Sequence, residues 1–75
     1  MNVFDLKKGE SAQIVSSAVT GSAAARLSSL GITTGKRVTA LAFSLFKSSV
    51  LIGCGAVRVG VRKSIAKKIE VVKCG

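Results

Sequence analysis

The sequence contains no histidine, proline, tryptophan or tyrosine, only two cysteines, and only three acidic residues, Asp5, Glu10 and Glu70. General acid–base and nucleophilic catalysis draw most often on histidine, and three acids this widely spaced do not suggest a working carboxylate pair. An enzyme is therefore not expected, nor a small-molecule substrate. A thiol nucleophile needs a lowered pKa and usually a base beside it, and the sequence offers Cys54 neither. Zinc wants four Cys or His ligands at short spacing, which two isolated cysteines cannot supply, so no metal and no cofactor is expected; Cys74 would reach such a site only through a dimer. Two thiols with nineteen residues between them are also not the dense framework of a small secreted domain. Both are expected to be reduced thiols in a cytoplasmic protein, with Cys54 a small core or turn residue. The opening Met1–Lys8 lacks the basic, apolar and small-residue order of an export signal, and residue 1 reads as the true start.

Aromatic residues are nearly missing as well: Phe4, Phe43 and Phe46 are all there are. Because 48% of the chain is nevertheless hydrophobic, the core must be aliphatic and closely packed. Seventy-five residues make one domain, 1–75, and a chain of that size buries only about 60% of its unfolded surface. The most apolar stretch, Val38–Val57, has the length of a membrane-spanning helix. Lys47 near its centre would cost on the order of 3 kcal/mol there, and Ser48, Ser49, Gly53 and Gly55 interrupt it, so it reads as a buried β-hairpin.

Against the three acids stand twelve Lys and Arg, a net charge of +9. Such a balance attracts nucleic acid, an anionic membrane surface or an acidic protein, and it also keeps an apolar chain in solution. Arg58, Arg62, Lys63, Lys67 and Lys68 would form a basic face. Single-strand binders stack bases on aromatics, however, and the strands offer only Phe43 and Phe46. A small basic nucleic-acid-binding barrel, weak and salt-sensitive, is the alternative reading. Gly31–Arg37 superficially resembles a phosphate loop. It has the wrong spacing between glycines, lacks Ser or Thr after its lysine, and runs from helix to strand instead of strand to helix.

Periodicity sets the elements. Ala12–Val19 alternates, with Ala12, Ile14, Ser16 and Ala18 on one side, and reads as a first strand. Gly21-Ser22 offers an N-cap to a short helix whose Ala23, Leu27 and Leu30 share a face, and Gly31 ends it. Arg37–Phe46 reads as a strand, Lys47-Ser48-Ser49 as a turn, and Val50–Ile52 as the return strand. Gly53-Cys54-Gly55 then connects to Ala56–Arg62, where Val57, Val59 and Val61 alternate with Arg58, Gly60 and Arg62. A single helical turn over Lys63–Lys67 precedes a last strand, Ile69–Lys73. Five short strands in so short a chain hide their edges best by curling. The fold class is mainly β, a small barrel of about five strands with a short α-helix inserted after the first.

Three stretches, Leu6-x-x-Gly9, Arg26-Leu27-x-x-Leu30-Gly31-Ile32-x-x-Gly35-x-x-Val38, and Val59-x-Val61-Arg62-x-x-x-Ala66-x-x-Ile69-x-Val71, together resemble the FeoA family over nearly the whole chain. The resemblance implies an SH3-like barrel and a role as the small cytoplasmic component of bacterial ferrous iron uptake (the Feo system). It implies as partner a large ferrous iron permease with a cytoplasmic GTPase domain, whose assembly or activity such proteins regulate. Contact with the inner membrane would then be only indirect, through that partner. Related modules end iron- and manganese-responsive repressors, but the helix-turn-helix and metal-binding histidines of those proteins have no counterpart in this sequence. On the same resemblance Leu27 and Leu30 pack the helix on the barrel, with partner contact as a second role, and Gly31 and Gly35 permit turns.

Phe43 and Phe46 are three apart, so an unbulged strand cannot bury both, and one is expected on the surface. With Leu51 on the return strand and Lys47 at the tip, the hairpin would present an apolar knob flanked by positive charge. Phe43, Phe46, Lys47 and Leu51, with the basic face of Arg58 and Arg62, form the expected partner-binding surface. Self-association through the same patch is the other use it would serve.

Overall fold

The alternation of Val57, Val59 and Val61 with Arg58, Gly60 and Arg62 sends one set of side chains inward and the other to solvent, as a two-residue period demands. In the computed structural model, which describes residues 1–74, Val59 and Val61 are buried and Arg58, Gly60 and Arg62 exposed. Gly75, the last residue of the expected domain, lies outside the described residues. Strands β1 (Ser11–Ser17), β2 (Arg37–Phe43), β3 (Ser49–Cys54), β4 (Val57–Arg62) and β5 (Ile69–Lys73) form one antiparallel sheet in the order β4-β3-β2-β1-β5. Helix α1 (Gly21–Ser29) joins β1 to β2, and the single turn α2 (Lys63–Ala66) joins β4 to β5.

All five strands contribute to one core: Ala12 and Ile14, Val38 and Ala40, Val50 and Ile52, Val59 and Val61, Ile69 and Val71. A sheet whose every strand buries the same face against a shared core must curl around it. Val3, Leu6, Leu27, Ile32 and Ala66 close the ends. No polar or charged side chain is buried among the described residues. The core is aliphatic, as the scarcity of aromatics requires.

Helix α1 ends in a Schellman arrangement. Gly31 takes φ +80, its N–H donates to the Ser28 carbonyl at 3.0 Å, and the Ile32 N–H donates to the Leu27 carbonyl at 2.9 Å. The reversal brings Ile32 beside Leu27 and buries both. At its other end the helix is capped by extended Thr20 (φ −130), not by Gly21-Ser22 as expected. Gly21, with φ +68, turns the chain directly into the helix, and the threonine side chain satisfies no N–H.

Three strand expectations need correction. Strand β1 stops at Ser17, and a bulge against β5 between Ile14 and Ser16 reverses the parity, so Ser16 and Ala18 are exposed and Val19 is buried. Strand β2 ends at Phe43, not Phe46, because the Ser44 hydroxyl accepts the N–H groups of Ser48 (3.1 Å) and Ser49 (2.9 Å) and forces a 3-10 turn over Leu45–Lys47. Strand β3 continues through Gly53 and Cys54, leaving a two-residue connection of Gly55, with φ +61, and Ala56.

The acidic residues serve as local fasteners. The Glu10 carboxylate accepts the Lys7 N–H at 2.6 Å and pairs with the Lys73 ammonium at 2.8 Å, joining the approach to β1 to the end of β5. The Lys73 ammonium first, and then the Lys7 amide, hold its carboxyl below the usual glutamate range. Glu70 binds the terminal ammonium at 3.2 Å, and the Val71 N–H donates to the Met1 carbonyl at 2.8 Å, so the N-terminus covers the outer edge of β5.

Candidate docking surface

Phe43 stands directly opposite Val50, and opposed residues of an antiparallel pair share a face, so its ring turns toward the core. It meets Phe4 edge to face, with centroids 5.6 Å apart and planes at 89°. The Lys47 ammonium lies 5.7 Å from the Phe43 ring and the Lys63 ammonium 5.5 Å from the Phe4 ring, both within cation–π reach. Phe43 is therefore half-buried beneath Lys47, and its partner ring Phe4 lies beneath Lys63.

Phe46 takes the other place. It is 91% exposed, and its neighbour Leu45 is 80% exposed. Strand parity alone does not produce this separation; the serine-capped turn does. Ser44 shortens β2 and hands the next two apolar residues to the hairpin tip, where Phe46 (φ 64) and Lys47 (φ 53) both adopt the left-handed region. That region costs a non-glycine residue roughly 1–2 kcal/mol. Leu45 was not among the expected residues, and the signal for it is Ser44, whose hydroxyl competes with the strand for backbone amides.

Leu51 pairs with Ala42 on one side and Gly60 on the other, and all three point outward. Arg58 opposite Gly53 and Arg62 opposite Ser49 share that outer face. Leu51, Arg58 and Arg62 thus come together on the sheet, at the flank of the hairpin whose tip carries Phe46 and Lys47. A shallow depression beside the tip adds Lys63 and Lys67, lined also by Ser48, Ser49 and Ser64. Among the described residues none of these cations is paired with a carboxylate. The three acids are engaged elsewhere, Asp5 by the Asn2 N–H at 3.0 Å.

The two leucines of α1 lie apart from this face. Leu27 is buried in the core, and Leu30 is half-buried against the same core. Cys54 is partly buried with its sulfur 3.9 Å from the Gly31 carbonyl, and Cys74 is exposed. No three described His, Cys, Asp or Glu residues cluster as metal ligands would. No described helix is long and apolar enough to cross a membrane.

Residues 1–73 match the family model of the FeoA domain. No curated protein matches the sequence significantly. Among solved structures, the FeoA protein of Chlorobium tepidum superposes with a TM-score of 0.94 at 25% identity, covering 100% of this chain and 71% of that one. FeoA of Stenotrophomonas maltophilia, solved with zinc and described as a procaryotic SH3 domain protein, gives 0.81 at 28% identity over 96% and 89% of the two chains. A manganese-dependent transcriptional repressor gives 0.84 at 19% identity, over 97% of this chain and 40% of that one, a likeness of fold alone. The five-stranded curl is thus an SH3-like architecture.

Proposed function

The chain belongs to the FeoA domain family, a family of small accessory domains associated with ferrous iron transport, and from that premise we propose that it works by docking on the membrane permease of bacterial ferrous iron uptake. In this reading the protein is cytoplasmic, seats itself on the part of the permease that carries the GTPase domain, and regulates its assembly or activity. It reaches the inner membrane only through that partner. The observation that carries the reading is Phe46, an aromatic side chain held almost wholly in solvent by a strained backbone. Strain of this kind persists where the surrounding structure imposes it, and it concentrates at functional sites. An exposed aromatic anchor beside Leu45, with Lys47 and the Arg58–Arg62 face around it, has the composition of a hot spot inside a charged rim.

The test is capture of the tagged protein's partners from detergent-solubilised membranes at low and moderate salt. Recovery of a large GTPase-bearing permease, lost with Phe46→Ser while the domain stays folded, is the expected result. If Phe46→Ser unfolds the domain, the ring belongs to the fold and the docking surface loses its anchor. Recovery of nucleic acid only, released as salt rises, would instead favour the basic-barrel reading supported by Arg62, Lys63 and Lys67.

A further inference from the structure

Strand β4 ends the sheet and pairs only with β3. The two-residue connection at Gly55–Ala56 makes Cys54 and Val57 a hydrogen-bonded pair, and bonded pairs then alternate along the ladder. Val57, Val59 and Val61 therefore direct their backbone groups to β3, consistent with the Lys63 N–H donating to the Ser48 carbonyl at 2.9 Å one step further on. The N–H and C=O groups of Arg58, Gly60 and Arg62 point away from the sheet. The opposite edge, at β5, is covered by Met1 and Asn2. The β4 edge instead borders a groove of about 370 Å³, with α1 as its far wall. Ala23, Leu27, Val59, Val61 and Ile65 give it an apolar lining, and Arg26 and Arg62 stand at its rims.

We propose that this groove takes an extended acidic segment of another protein, added to the sheet as a strand antiparallel or parallel to β4. Such a segment would place alternate side chains inward over Val59 and Val61, and the intervening ones outward beside Arg58 and Arg62. Acidic residues at the outward positions meet both arginines. Gly60 between them carries no side chain, and the space where one would stand is open, so no side chain separates the two arginines on the outer face. The same residues argue against a second copy as occupant. Antiparallel pairing of two β4 strands about Gly60 would set Arg58 of each directly opposite Arg62 of the other, and like charges opposed across a ladder are destabilising. The edge is guarded against itself and complementary to acid.

This goes beyond docking through the hairpin: the two readings share Arg58 and Arg62, but only the first needs the Phe46 tip and only the second the free backbone edge of β4, so each can fail alone. The test uses the full chain, 15N-labelled, at about 150 mM salt, where weak surface attraction is largely screened. It is titrated with a pool of short peptides alternating Val, Ile or Leu with Asp or Glu, and with a matched pool carrying Lys or Arg instead. The expected result is amide shifts confined to β4 and the facing side of α1, with exchange of the Arg58, Gly60 and Arg62 amides slowed about tenfold or more by the acidic pool alone. Reversing both charges, Arg58→Glu with Arg62→Glu, should transfer the preference to the basic pool, whereas Phe46→Ser should leave binding unchanged. Shifts centred on Leu45–Lys47 or spread over the lysines without slowing of the three edge amides overturn the proposal. So does protection of those amides by the protein's own concentration, which would make the edge a dimer interface, and so does an absence of binding.

Discussion

Phe46 occupies a backbone conformation that disfavours it and a surface position that gives its ring nothing to pack on. Asparagine tolerates left-handed φ, so Phe46→Asn should relieve strain while forfeiting almost no burial. We expect this variant to be more stable by roughly 0.5–1 kcal/mol, read as a higher midpoint in thermal unfolding, and poorer in capturing the permease. Circular dichroism is the suitable probe, since the chain has no tryptophan or tyrosine. A variant that loses stability would show that the ring supports the turn. Gly31 makes the reciprocal case. A Cβ there meets nothing within 4 Å, so Gly31→Ala isolates the cost of φ +80, and should destabilise by about 1 kcal/mol in chemical unfolding.

At the scale of elements, α1 is a weak helix that depends on its attachment. Its N-cap side chain satisfies no amide, no acid sits in its first turn, and Leu27 is its one buried residue. Leu27→Ala should cost about 2–4 kcal/mol in equilibrium unfolding, a large share of the stability of so small a domain. If the loss is under 1 kcal/mol, Leu27 does not anchor the helix. A second fastener, Glu10, carries the pH dependence. Its folded pKa is lowered by Lys73 and the Lys7 amide, so its contribution is present above the ordinary glutamate range and is lost as pH falls through the folded value. Glu10→Gln should flatten the acid limb of stability against pH, and an unchanged limb would assign it to other carboxyls. The elements themselves were legible where local chemistry decides them. The Val–Arg alternation of β4 and the Leu-Gly-Ile turn out of α1 both describe what forms. Two features were not legible because they depend on distant or competing partners: the β1 bulge, which exists only against β5, and the tip, where one serine hydroxyl ends β2 three residues early. The free edge of β4 is likewise a property of pairing order, to which periodicity is blind.

The whole molecule carries its charge unevenly in function if not in number. Its three acids are all engaged in local contacts at the two termini and the approach to β1, leaving Arg58, Arg62, Lys63 and Lys67 unopposed among the described residues. A net charge of +9 on a body measuring 28 × 26 × 23 Å makes a field that extends well past contact at low ionic strength. Charges at the rim of an interface act mainly on the rate of encounter, while a desolvated aromatic anchor acts mainly on residence. The two parts of the proposed surface should therefore separate kinetically. With the cytoplasmic part of the permease immobilised, Arg58→Ser with Arg62→Ser should lower the association rate several-fold and reduce its dependence on salt, leaving dissociation nearly unchanged. Phe46→Ser should do the reverse, raising the dissociation rate by about tenfold or more with little effect on association. If the arginine pair instead governs dissociation, those residues are buried in the complex, and the centre of the interface lies on the sheet face around Leu51, with the hairpin tip at its margin.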